Sequence, residues 1–130
     1  MQRPTPETHE SPFKGKTGLM RVLNALRYSI EGIRAALKHE DAFRQECILA
    51  LILIPIGLAM PTSAPGKALL VGSVLIVLIV ELINSAIEAT VDRVSLEHHL
   101  LAKRAKDIGS AAVLLALINL AIVWGLVIFG

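Results

Sequence analysis

Glu81, Asn84 and Glu88 stand at i, i+3 and i+7 in the stretch ELINSAIEATVDR, residues 81–93. At about 100° per residue a helix puts all three on one stripe. The residues before them are apolar enough for a membrane span, so the two carboxylates and the amide need a chemical reason. Ionisable side chains in a bilayer are costly and by default mark function. At about 1.5 Å per residue the two glutamates lie about 10 Å apart along the axis, which leaves room for a metal-bound phosphate chain. A span counted from Gly66 reaches the far headgroups about 20 residues later, so Glu81 falls roughly one turn below that boundary. There it meets the depth of a lipid headgroup.

Other carboxylates gather on the same side. Glu40, Asp41, Glu46, Glu88, Asp92, Glu97 and Asp107 all fall at or near one set of segment ends, with Glu81 deeper. Oxygen donors at a membrane surface suit Mg²⁺, a hard cation that commonly bridges one or two carboxylates to nucleotide phosphates. Nearby Lys and Arg would carry the remaining phosphate charge. A deeper carboxylate could take a proton from a lipid hydroxyl, since phosphoryl transfer needs positioning and charge neutralisation more than covalent help. A packing role is the alternative, with the glutamates paired to Arg44, Lys106 or Asn119.

Those residues need elements to position them. The chain has 130 residues, of which 54% are hydrophobic and 18% charged, a composition that points to a membrane protein of one domain. A net charge of +2 with three Phe, one Tyr and one Trp argues against nucleic acid as a partner. Cys47 is the single cysteine, so no intramolecular disulfide forms. Residues 1–16 are Pro-rich and polar, contain no apolar core of signal-peptide length, and read as a flexible tail.

From 17 to 38, Leu19, Leu23, Leu26, Ile30, Ile33 and Leu37 recur at helical spacing, while Arg27, Glu31, Arg34 and Lys38 recur on another face. This predicts an amphipathic helix in the membrane interface, with Thr17 as a possible N-cap, or otherwise an ordinary soluble helix. Three spans follow at about 42–60, 67–91 and 107–129. The first contains Pro55 and Gly57 and has to begin among charged residues. The fold class is therefore all-α, a polytopic membrane helical bundle with an N-terminal amphipathic surface helix. The domain is expected over 17–130, with Trp124 as an anchor near the end of the last span.

Eight Lys or Arg precede Cys47, Lys67 stands alone in the first connector, four lie between Arg93 and Lys106, and none follows Asp107. The positive-inside rule then puts the N-terminus and the carboxylate side in the cytoplasm and the C-terminus outside. Weaker signals are set aside. Gly15 to Thr17 spells GKT, but Glu10 replaces the first glycine of a phosphate loop and no strand precedes it. His39, His98 and His99 lack HxxxH spacing and read as solvated. Ser73, Ser85, Ser110 and their small neighbours read as close-packing positions.

The segments EDAFRQE at 40–46, ELINSAIEATVDR at 81–93 and RAKDIGSAAV at 104–113 resemble the signature segments of the prokaryotic integral-membrane diacylglycerol kinases, in order, from about Thr17 to the C-terminus. The resemblance implies a homotrimer at the bacterial inner membrane that phosphorylates diacylglycerol from ATP to give phosphatidic acid. It makes Glu81 the base, and gives Mg²⁺ to Glu40 and Glu88. Asn84 would support the polar stripe. Arg21, Tyr28, Glu97, His99, Lys106 and Asp107, together with Glu40 and Glu88, would contact nucleotide. Arg34, Arg44, Glu46, Ser110 and Trp124 would lie near the lipid with Glu81. Undecaprenol kinase on the same scaffold is the nearest alternative. A proton-coupled transporter would need an intramembrane Glu but not the Glu40, Glu88 and Lys106 set, and a non-enzymatic assembly subunit would tolerate Glu81→Gln.

Overall fold

The computed structural model describes residues 17–94 and 99–130. The expected tail at 1–16, and the expected nucleotide contact Glu97 together with His98, lie outside the described residues. Among the described residues there are four helices and no strand: α1 (Gly18–His39), α2 (Asp41–Ala59), α3 (Ala64–Val94) and α4 (Leu100–Phe129). The class is all-α as expected, and α2, α3 and α4 are each long and apolar enough to cross a membrane. The chain divides into two compact units, Met1–Arg34 and Ala35–Gly130.

In the first unit, the Thr17 carbonyl accepts the Arg21 amide at 3.0 Å, so Thr17 opens α1. Leu19, Leu23, Leu26, Ile30 and Ile33 all stand exposed along one stripe. On the polar side Arg27 pairs with Glu31 at 3.8 Å, and its guanidinium lies 5.6 Å from the Tyr28 ring centroid. An apolar stripe left bare beside a charged face suits a helix resting in a membrane interface.

In the second unit α3 is the central element, and α2 and α4 each pack against it. Its buried residues are Gly66, Leu70, Ser73, Val74, Val77, Glu81, Asn84 and Ser85. Most successive members are three or four residues apart, the period of a stripe that faces neighbouring helices. Apart from Gly66 and Ser73 its first half is leucine and valine, while carboxylate, amide and hydroxyl fill the second. The geometry that buries Leu70 therefore also buries Glu81.

Local chemistry sets the ends. The Ser63 hydroxyl accepts the Gly66 amide at 3.2 Å, capping α3, and Pro65 falls in the first turn, where a residue without an N–H is tolerated. His99 caps α4, its Nδ1 accepting the Leu101 amide at 3.1 Å. At the opposite end from the carboxylates, Gly57 lets α2 approach α3 closely: a Cβ there would stand 3.2 Å from Leu70 Cβ and 3.6 Å from the Trp124 ring. Trp124 donates its indole N–H to the Leu70 carbonyl and the Ser73 hydroxyl, both at 3.2 Å. The outer faces of α2 and α4 are apolar and exposed, including Ile48, Leu51, Leu114, Leu115 and Leu126. Surfaces of that size belong in lipid or against other chains.

Candidate active site

The site grows from the polar half of the α3 stripe. Glu81 is 5% exposed and Asn84 7% exposed, both through burial against neighbouring helices. Glu46 of α2 brings its carboxyl against that of Glu81, and the charges of Glu88 and Glu40 also act on Glu81. Carboxylates of two elements thus act on Glu81: Glu40 and Glu46 at the start of α2, and Glu88 farther along α3. Glu40 is the N-cap residue of α2, with extended backbone at φ −116° and ψ 108°, yet its side chain makes no capping bond.

Asn84 donates from Nδ2 to Glu88 Oε1 at 3.4 Å. Three buried side-chain atoms, Glu46 Oε2, Asn84 Oδ1 and Ser85 Oγ, have no hydrogen-bond partner among the described residues. Buried polar atoms without partners are costly, and such orphans often mark a catalytic or ligand role.

The packing alternative for Glu81 does not match this arrangement. Arg44 donates from Nη1 to the Leu37 and Lys38 carbonyls at 2.7 and 2.9 Å, and from Nη2 to Asp41. Lys106 pairs with Asp92 at 2.5 Å, and Asn119 is exposed. Among the described residues none of the three bonds to Glu81. Ionised carboxylates placed together repel one another, and a cation would relieve that repulsion.

A divalent metal fits the donor chemistry, because every side chain in the cluster offers oxygen. No group of three or more His, Cys, Asp or Glu among the described residues closes around an ion.

The other expected residues divide by place. Lys106 joins the site's rim, where Glu88 also acts on it electrostatically. Asp107 pairs with Lys103 at 2.6 Å. His99 lines an apolar groove of about 510 Å³ with Thr90, Val91, Val94, Leu101, Ala102 and Ala105. Ser110 is exposed, whereas Ser73 and Ser85 are buried. Trp124 is bonded at the far end of α3 and is not brought to the carboxylates. Arg21, Tyr28 and Arg34 belong to the first unit and lie on its surface. Two residues given no role on sequence grounds enter here: Asp92, the partner of Lys106, and Gly109, buried on α4 against Asn84. Asp92 at i+4 from Glu88 was a usable signal; the placement of Gly109 depends on how α4 meets α3.

The fold and this cluster define a multi-pass helical membrane protein with an oxygen-donor site at one end of its bundle. Residues 27–128 match the prokaryotic diacylglycerol kinase family. The chain is 52% identical over 120 residues to the diacylglycerol kinase of Pseudomonas aeruginosa, covering 92% of this chain and 98% of that one. It is 47% identical over 113 residues to that of Haemophilus influenzae, covering 87% and 96%. With that of Escherichia coli K12 it shares 49% identity over 108 residues, covering 83% and 88%. The chain belongs to the prokaryotic diacylglycerol kinase family, as its signature segments suggested, and is a multi-pass bacterial membrane protein.

Proposed function

We propose that this chain transfers the γ-phosphoryl group of ATP to the primary hydroxyl of diacylglycerol, giving phosphatidic acid at the cytoplasmic face of the inner membrane. The single observation that carries the mechanism is the burial of Glu81 on the stripe that also bears Asn84 and Glu88, facing Glu46. Glu81 takes the proton of the lipid hydroxyl. The oxygen then forms a bond to the γ-phosphorus as the bond from that phosphorus to the β–γ bridging oxygen breaks, and ADP leaves with the electron pair. Glu46 keeps Glu81 company at the mouth of the lipid site and sets its orientation.

Glu40 and Glu88 would hold Mg²⁺, which supplies charge neutralisation on the phosphates. Asn84 steadies Glu88 through its amide. Lys106 faces the phosphate charge from α4, with Asp92 fixing the ammonium's position. The apolar groove at Val91, Val94, His99 and Ala102 offers a surface for the nucleoside. Arg34, Arg44 and Ser110 serve the lipid side, and Arg21, Tyr28, Glu97 and Asp107 the nucleotide side, on the family pattern. The working assembly is a homotrimer, in keeping with the broad apolar flanks of α2 and α4. The cytoplasmic orientation rests on the Lys and Arg distribution.

The test is phosphorylation of diacylglycerol, with undecaprenol as the competing alcohol, by purified protein in lipid with ATP and Mg²⁺. Wild type should form phosphatidic acid and lose that activity on chelation, and Glu81→Gln should lower kcat by at least about 10²-fold while nucleotide binding persists. A folded protein that phosphorylates neither alcohol, or a fully active Glu81→Gln, ends this reading.

A further inference from the structure

Gly109 is buried on α4 where that helix crosses the polar half of the α3 stripe. A Cβ built on it would collide with Asn84 Oδ1 and stand 3.2 Å from Asn84 Cγ, but 3.9 Å from Asn84 Cβ, an ordinary contact distance. The obstacle is therefore the amide group alone. Asn84 points that oxygen at Gly109 and its Nδ2 at Glu88, where the bond is already 3.4 Å long. A displaced amide would have to remake a bond that is already near the limit of hydrogen-bonding reach.

We infer that Gly109 is a positioning residue for the reaction: the missing side chain on α4 holds the Asn84 amide in the one orientation that lets it steady Glu88. Gly109 touches no reacting atom. It acts through Asn84, and through Asn84 on the carboxylate assigned to the metal, so the functional consequence rests on the lipid kinase reading above. Not every glycine of the bundle is packed in this way. Gly125, on the same helix, has open space where a Cβ would stand. Replacing it removes a glycine from α4 without touching Asn84, which makes Gly125→Ala the matched control.

The experiment uses the full chain in lipid with three readouts: the Asn84 side-chain amide resonance by NMR, binding of Mn²⁺ together with a non-hydrolysable ATP analogue by electron paramagnetic resonance, and the metal concentration needed for half-maximal activity. Gly109→Ala should shift the amide resonance and weaken Mn²⁺ binding by about 10-fold to 100-fold, the range for partners that orient metal ligands. Gly125→Ala should resemble wild type in both. In an Asn84→Ala background, where the collision is gone, Gly109→Ala should add no further loss. The inference is overturned if Gly109→Ala leaves the amide resonance or Mn²⁺ binding where Gly125→Ala leaves it, or if it costs as much in the Asn84→Ala background, which would make Gly109 a helix-spacing residue only. Should Gly109→Ala fail to fold, recovery of folding in the double variant supports the inference and failure of both overturns it. A wild type without kinase activity ends the reading above, while the amide resonance still decides whether Gly109 orients Asn84.

Discussion

Lys106 Nζ lies 2.5 Å from Asp92 Oδ1, an ion pair that ties α4 to α3 one helical turn beyond Glu88. The two side chains are 42% and 61% exposed, so the pair is screened by water and adds little to stability. Its effect is to hold an ammonium at the rim of the carboxylate cluster. Asp92→Asn should therefore raise the KM for ATP several-fold while thermal unfolding stays close to wild type. Lys106→Met, which deletes the charge itself, should lower kcat/KM for ATP by about 10²-fold. Steady-state kinetics over a range of ATP, with a melting curve of each variant, check both.

Glu46 faces Glu81 with one buried carboxylate oxygen that no donor reaches. Such an arrangement costs stability and is a common feature of sites built for activity. Glu46→Gln puts an amide donor against Glu81, so the variant should unfold at a higher temperature than wild type. The same hydrogen bond holds the Glu81 carboxylate away from an incoming hydroxyl, and kcat should fall by about 10-fold or more. A variant that is both less stable and slower would show that Glu46 does not oppose Glu81 in this way.

The positions of Glu81, Asn84 and Glu88 were legible because a helix repeats locally, and three residues at i, i+3 and i+7 share a face whatever packs on it. The four helices were legible for the same reason: apolar periodicity and length mark them before any contact is known. Contacts between elements were not. That Lys106 reaches Asp92, and that Gly109 meets Asn84, depends on the rotation and register of α4 on α3, which no local pattern encodes. Arg44 is a sharper case. Its partners are backbone carbonyls of Leu37 and Lys38, and carbonyls carry no signature in the sequence. Trp124 was expected as an interface anchor from its place in the span, and the acceptors of its N–H on α3 were not visible there.

Trp124 makes the far end of the bundle testable apart from the chemistry. Its N–H bonds to Leu70 and Ser73 are lost in Trp124→Phe, which should lower stability by about 1 kcal/mol, the net value of a typical hydrogen bond. The carboxylate cluster lies farther along α3, so the KM for ATP should not change. Gly57→Val, which forces a branched side chain toward Leu70 and the Trp124 ring, should destabilise more strongly. Denaturant unfolding in mixed micelles ranks the two variants, and a Trp124→Phe protein as stable as wild type would show that the N–H bonds contribute nothing.

Arg44 separates two roles for one side chain. Its guanidinium donates to the last carbonyls of α1 and to Asp41, and between those groups sits Glu40, the extended residue that joins α1 to α2. A planar fork can serve several acceptors at once, whereas a lysine ammonium is a point donor on a flexible stem. Arg44→Lys keeps the charge but not the fork. Amide hydrogen exchange at residues 38–41 should therefore speed up, and because Glu40 loses its fixed backbone, the Mg²⁺ concentration for half-maximal activity should rise several-fold. The KM for lipid should stay within about two-fold if the corner is the main role, a change under the energy of one weak hydrogen bond. If the lipid KM rises instead while exchange at the corner is unchanged, Arg44 acts on the lipid directly and the bonds to Leu37 and Lys38 are incidental to catalysis.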